Sequence, residues 1–418
     1  MAGAWTGAMT DHPFGSAIVA RLDELATITD VPGQITRLYL SPAHRRAATL
    51  VESWMRDAGM TTQLSPLGDV IGRYEGENAG APALIIGSHI DSVRDAGRFD
   101  GTLGVATAIE IVRRLHRDKR RLPFAIEVAA FGDEEGVRFP TSLAGSRAMA
   151  GVFDEKTLDE TDRDGVLRRD ALKAFGCPQT GVAAMKRSRD ATIGYVEVHI
   201  EQGPVLEAKG LALGVVTAIN GCSRGSVVVT GEAGHAGTVP MPLRRDALAA
   251  SSEMILAIER LGSTHPDLVA TVGQITVPGG AINTVPGRVE FSLDARAPDD
   301  ARRHALVADI RAACASIAAR RNVSIEIAMP YDIPAAPCDP SLSHALAQAV
   351  ARCGHEALTL PSGAGHDAMS FRGALPFTML FVRCREGVSH NPAEFASVED
   401  IDAGARALAD FVDRFGAT

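Results

Sequence analysis

The sequence predicts an α/β protein in two parts: a larger domain with a mixed sheet flanked by helices, and an α+β domain inserted into it. Three observations carry this. Short apolar runs alternate with helical periodicity, the rhythm of βαβ units. Four of those runs end in clusters of His, Asp and Glu. Between about residues 211 and 330 the pattern changes to strands and helices that make a layer of their own. A chain of 418 residues is also too long for one ordinary core.

The first helix is expected over 41–59, where Ser41 can cap it, Pro42 suits its first position and Gly59 can take the left-handed ending. Residues 83–88 read as a buried strand that opens into His89-Ile90-Asp91. A helix over 106–117 and an apolar strand over 124–131 complete a βαβ unit. Residues 152–175 are charge-rich and are expected as a solvated helical excursion. A third strand over 193–199 ends at His199. Strands at 225–230, 270–277 and 289–295, with helices at 242–261 and 299–320, give the insertion a sheet of about four strands and two helices. An apolar strand at 376–382 then precedes His390, and a last helix covers 397–415. The expected limits are 1–211 and 331–418 for the larger domain and 212–330 for the insertion.

Composition narrows the function classes. Hydrophobic residues at 46% and charged residues at 22% describe an ordinary globular chain. A formal net charge of −9 offers no footprint for a phosphate backbone or an anionic bilayer, so neither nucleic acid nor membrane is an expected partner. The opening Met-Ala-Gly-Ala-Trp lacks the pattern of a secretory signal, and a cytoplasmic location is expected. The six cysteines, Cys177, Cys222, Cys314, Cys338, Cys353 and Cys384, are far apart without a Cys-x-x-Cys pair, so reduced thiols are expected.

The histidines and acids at strand ends carry the chemistry. In His89-Ile-Asp91, residues two apart on an extended chain share a face, which lets Asp91 accept the imidazole proton that does not face a metal. Asp100 follows in a glycine-bracketed turn, where its two oxygens could bridge two cations. Phe131-Gly-Asp-Glu-Glu-Gly136 packs three acids after an apolar strand, an arrangement that repels itself unless cations or protons neutralise it. Glu135 is assigned to the metal and Glu134 to proton transfer. His12, His44, His116, His265, His304, His344 and His355 lack such context and are expected to be structural.

Six ordered motifs then point to a family. They are Gly-Ser-His-Ile-Asp-Ser-Val from Gly87, Gly-Asp-Glu-Glu-Gly from Gly132, His-Ile-Glu-Gln-Gly-Pro from His199, Gly-His-Ala-Gly from Gly234, Asn-Thr-Val-Pro from Asn283 and Gly-Val-Ser-His-Asn from Gly387. Together they resemble the hydantoinase/carbamoylase branch of the M20 metallopeptidase-like amidohydrolases, over essentially the whole chain. The resemblance implies a zinc-exopeptidase-like fold with an inserted lid and dimerisation domain, hence a homodimer. It implies two divalent ions, Zn2+ first and Mn2+, Co2+ or Ni2+ as alternatives, with His89 and His199 on one, Glu135 and His390 on the other and Asp100 between. Glu134 matches the general base. His235 matches a residue that stabilises an oxyanion in a partner subunit's site, Arg224, Asn283 and Arg296 match binders of a substrate carboxylate, and Gln202 matches a contact to its amide end. His366, in Ser-Gly-Ala-Gly-His-Asp, is expected next to the substrate or behind the ligands.

The implied reaction is hydrolysis of a C–N bond in a small anionic N-carbamoyl or ureido acid, releasing ammonia and CO2 or an equivalent. A carboxylate is expected at His199 in the family's peptidases, so the histidine there favours the amidase branch. An M20 exopeptidase or aminoacylase, and a non-catalytic dimeric binding protein of the same fold, are the alternatives.

Overall fold

The computed structural model describes residues 14–415, so His12 lies outside the described residues. Four parallel strands form the centre of a mixed sheet: Ala125–Phe131, Ala83–His89, Thr192–Ile200 and Phe377–Val382 are neighbours in that order. Ala83–His89 and Ala125–Phe131 are buried along their whole length, which is why they read as continuous apolar runs rather than alternating ones. Antiparallel strands extend the sheet on both sides, Val70–Tyr74 with Thr61–Leu64 on one and Leu213–Ile219 on the other.

The parallel arrangement brings four strand ends to one edge, and each strand end or the loop that follows it bears a candidate ligand. Helix Thr102–Arg117 packs on Ala83–His89 and Thr192–Ile200, and Val398–Arg414 lies beside it. The first of these helices begins four residues before the expected 106, because Gly101 at φ 66 turns the chain directly into it. The first expected helix is Pro42–Asp57, with Ser41 accepting the N–H of His44 at 3.1 Å.

The chain divides into two compact units. One contains the described residues up to Thr217, with Cys338–Leu360 and the described residues from His366 onwards; the other contains Ala218–Pro337 and Pro361–Gly365. The second unit has its own core, in which Val227, Val229, Phe291 and Leu293 of the sheet meet Met254, Ile258, Leu306 and Ile310 of helices Ala247–Gly262 and Asp300–Arg321. Its sheet has five strands rather than about four, since Ser324–Ile333 pairs along Gly221–Thr230 and the expected run 270–277 breaks in two. At the break Ser292 Oγ accepts the N–H groups of Gly273 and Gln274, and four residue steps from Thr271 to Ile275 face three from Asp294 to Phe291. Its first helix starts at Ala247, not 242, where Asp246 caps it by accepting the N–H groups of Leu248 and Ala249.

The excursion over 152–175 is only partly solvated. Helix Arg168–Phe175 buries Ala171, Leu172 and Phe175, and the Arg168 side chain is fully enclosed near Asp133. Among the described residues no helix is long and apolar enough to cross a membrane.

Candidate functional site

Asp100 is the centre of a cluster in the larger unit. Its Oδ1 lies 3.3 Å from His89 Nε2 and 3.2 Å from His199 Nε2, while its Oδ2 lies 3.3 Å from His390 Nε2. Glu135 Oε2 lies 3.5 Å from the same nitrogen of His390. One carboxylate thus faces two donor sets, His89 and His199 through one oxygen, Glu135 and His390 through the other. The sequence-predicted ligands come together from four strand ends and the Asp100 turn.

Local structure explains how they are held. Gly101, next to Asp100, has φ 66, and a Cβ there would lie 2.4 Å from the His89 ring. Only glycine allows both the turn and the approach. Asp91 accepts the backbone N–H of Glu134 with one oxygen and that of Glu135 with the other, each at 3.2 Å. Its Oδ1 lies 3.5 Å from His89 Nδ1 and its backbone carbonyl oxygen lies nearer, at 3.2 Å, so one residue fixes both the ring and the acidic turn. His390 and Gln202 adopt left-handed backbones with φ 54 and 56, a conformation that costs a non-glycine residue about 1–3 kcal/mol and that collects at functional sites.

Burial and charge set the protonation of these groups. Burial pushes the Glu134 carboxyl well above its ordinary range, against the pull of His89. Glu135 is raised to about 7 by burial and by Asp100. Burial also opposes ionisation of Asp100, but hydrogen bonds from His199, His390 and His89 outweigh it and hold this carboxyl well below the ordinary range.

The other predicted residues divide between this cluster and the second unit. Gln202 does not point its amide nitrogen outwards: Nε2 donates to Asp100 Oδ2 at 2.8 Å and to Ser389 Oγ at 3.1 Å. His366 is buried behind His199, ring against ring at 4.5 Å. Arg224 and Arg296 belong to the second unit, where both clasp Asp294 at 2.8–3.0 Å. They line a cavity of about 470 Å³ with Gly225, Ser292 and Gly363. His235 and Asn283 sit exposed on a short two-stranded arm of that unit, with His235 paired to Thr284.

The sequence reading missed three supports. Glu197, fully buried, accepts Ser88 Oγ at 2.8 Å, Tyr195 Oη at 3.1 Å and the N–H of Ala368 at 3.0 Å, so its grouping with His199 and His366 is a hydrogen-bonded support behind the ligands. Ser389 and Glu394, in the His390 loop, connect to Asp100. Their one signal was proximity in sequence to His390.

The donor atoms fit divalent metal ions. His89, Asp100 and His199 form one group of possible ligands, and Asp100, Glu135 and His390 another, the atoms of each lying within 4.8 Å of one another. Ligands about 2.0–2.1 Å from one tetrahedral ion stand about 3.3–3.5 Å apart. The named contacts at 3.2–3.5 Å already have that spacing.

Comparison with known proteins places this arrangement. The model of peptidase family M20/M25/M40 matches residues 85–414, a span that holds every ligand candidate. The chain belongs to this family. The M20 chain is 42% identical to allantoate deiminase 2 of Glycine max, over 94% of its own length and 88% of that protein. It is 39% identical to an N-carbamoyl-L-amino acid amidohydrolase of Geobacillus stearothermophilus, over 94% of its length and 97% of the relative. Among solved structures, a hydantoinase/carbamoylase family amidase of Burkholderia multivorans superposes with a TM-score of 0.89 at 36% identity, covering 95% of this chain and 97% of that one. The M20 fold and the amidase branch are therefore those expected from the motifs.

Proposed function

We propose that this M20 protein hydrolyses the C–N bond of a small anionic N-carbamoyl or ureido acid, such as allantoate or an N-carbamoyl-L-amino acid, with two divalent ions. The reading rests above all on Asp100, whose two oxygens each face a separate pair of ligand candidates. The substrate class is supported by relatives named for allantoate and for N-carbamoyl-L-amino acids at 39–42% identity. His199 stands where a carboxylate is expected in the family's peptidases, which favours the amide over the peptide reaction.

His89, His199 and Asp100 would hold one ion, and Asp100, Glu135 and His390 the other. When bound, such ions polarise a carbonyl and lower the pKa of water; the mixed N and O donors suit zinc, with manganese, cobalt and nickel as alternatives. Glu134, half-buried at the turn that Asp91 fixes, takes the proton of the attacking water and returns it to the departing nitrogen. Arg224 and Arg296 hold the substrate carboxylate, with Asp294 keeping the guanidiniums in register. Gln202 contributes by fixing Asp100.

The second unit acts in this reading as a lid and a dimerisation domain. Met241 and Leu243 are 72% exposed and Ile282 is fully exposed on it, apolar surface that a second copy would cover. His235 and Asn283, next to that surface in sequence, would then serve the site of a second subunit, His235 as an oxyanion donor.

The test is a substrate panel. Ammonia release from allantoate, N-carbamoyl-L-amino acids, β-ureidopropionate and ureidoglycolate is followed with Zn2+ or Mn2+ added, beside dipeptides and N-acyl amino acids. Turnover of ureido or carbamoyl acids at least a hundredfold faster than of dipeptides is expected. Turnover confined to dipeptides or N-acyl amino acids would replace the proposal with the exopeptidase or aminoacylase reading.

A further inference from the structure

Glu394 belongs to no motif assigned a role above, yet it is 5% exposed and its carboxylate accepts three hydrogen bonds. Oε1 accepts the N–H of Phe99 at 2.8 Å and of Asp100 at 3.1 Å. Oε2 accepts from Ser389 Oγ at 2.9 Å, and Ser389 Oγ also stands 2.9 Å from Asp100 Oδ2. The turn wraps so closely that a Cβ on Gly97 would lie 2.2 Å from Glu394 Oε1. Two loops almost three hundred residues apart in sequence, 97–100 and 389–394, are thus joined through one buried carboxylate.

We infer that Glu394 is the positioning residue that sets the distance between Asp100 and His390 and so the shape of the second donor set. The inference rests on the metal-centre reading above. Placing a second carboxylate near Asp100 is unfavourable unless positive charge or hydrogen bonds offset the repulsion. Two backbone N–H groups and a hydroxyl do so here, and in return they fix the backbone of Asp100 itself. Ser389 carries one hydrogen and donates to one acceptor at a time, while Gln202 Nε2 donates to Ser389. When a cation occupies Asp100 Oδ2, Glu394 remains to take that hydrogen, so the serine keeps its place. Asp91 performs a similar task for His89 and the acidic turn, so two buried carboxylates outside the donor sets brace the site.

The experiment counts Zn2+ bound to the full-length protein across buffers of fixed free Zn2+. Loss of a group that orients metal ligands costs about 10–100-fold in metal affinity or activity. Glu394→Ala is expected to need at least tenfold more free Zn2+ for half-occupancy of the weaker site. Glu394→Gln keeps an oxygen for the two N–H groups but turns a donor instead of an acceptor towards Ser389, so it should recover part of the loss, a rescue that general destabilisation would not give. Should Glu394→Ala fail to fold, Ser389→Ala carries the test, with a shift of at least threefold expected. Unchanged Zn2+ binding in the Ala variant that folds, or Gln no better than Ala at position 394, overturns the inference. Asp100→Asn separates the two readings: if it binds Zn2+ like the parent, the metal centre itself is misassigned; if it loses Zn2+ while Glu394→Ala does not, only the brace fails.

Discussion

Asp91 holds Glu134 by its backbone: the Glu134 N–H donates to Asp91 Oδ1 at 3.2 Å, the same oxygen that lies 3.5 Å from His89 Nδ1. One carboxylate oxygen thus holds the turn of the proposed base and stands beside the ring of a ligand candidate, whose Nδ1 also has the Asp91 carbonyl oxygen at 3.2 Å. Asp91→Ala frees the turn and leaves the ring only that carbonyl. Activity is expected to fall about 10–100-fold, with Zn2+ affinity falling alongside it. Parallel measurement of kcat and of bound Zn2+ checks this, and full metal affinity with full activity would refute the shared role.

Glu134 has no place in either donor set, so its removal should separate chemistry from metal binding. Glu134→Gln is expected to lower kcat by about 10²–10⁴-fold while Zn2+ content stays at the parent level. Loss of metal together with activity would instead make Glu134 a ligand.

The strand ends were legible in the sequence because buried parallel strands are written as continuous apolar runs, and the polar residue that ends each run stands out against them. Hence His89, Glu135 and His199 could be read one strand at a time. The antiparallel extensions were less visible, since Thr61–Leu64 and Ser324–Ile333 alternate exposed and half-buried residues and carry mixed polar sequence. The supports were hidden for a different reason. Glu394 and Ser389 act on Asp100 from almost three hundred residues away, and no local periodicity reports such a contact. His366 lies behind His199, one of its two expected places, whereas the motif around Gln202 does not say which way the side chain turns, and it faces Asp100.

Arg296 is held in place before any substrate arrives, with Nε and Nη2 on Asp294 and Nη1 on the carbonyl of Gly363. A planar fork fixed on three sides is poorly replaced by a point charge. Arg296→Ala and Arg296→Lys should both raise KM at least tenfold for a ureido acid, with kcat changed far less. Steady-state kinetics in which lysine restores the parent KM would show that charge alone suffices.

Acid should destabilise the protein through His44, a residue of the core rather than of the site. Its Nδ1 accepts the N–H of Leu40 at 2.9 Å, and its ring is wholly buried beside Phe175. Burial, helped by Arg37, Arg45 and Arg138, pulls its pKa from 6.5 to about 3. The folded protein keeps the ring neutral while the unfolded chain protonates near 6.5, so the unfolded state binds the extra proton between those values. The stability tied to His44 is then complete above pH 6.5 and drains as pH falls towards 3, by about 2 kcal/mol at pH 5. Asparagine can present an oxygen to the Leu40 N–H without titrating, so His44→Asn should be less stable at pH 7 yet lose less on going to pH 5. Denaturant unfolding of both proteins at the two pH values measures the difference, and the comparison cancels any acid sensitivity that the metal centre adds equally to each. Equal losses in the two proteins would mean that protonation of His44 is not what weakens the fold.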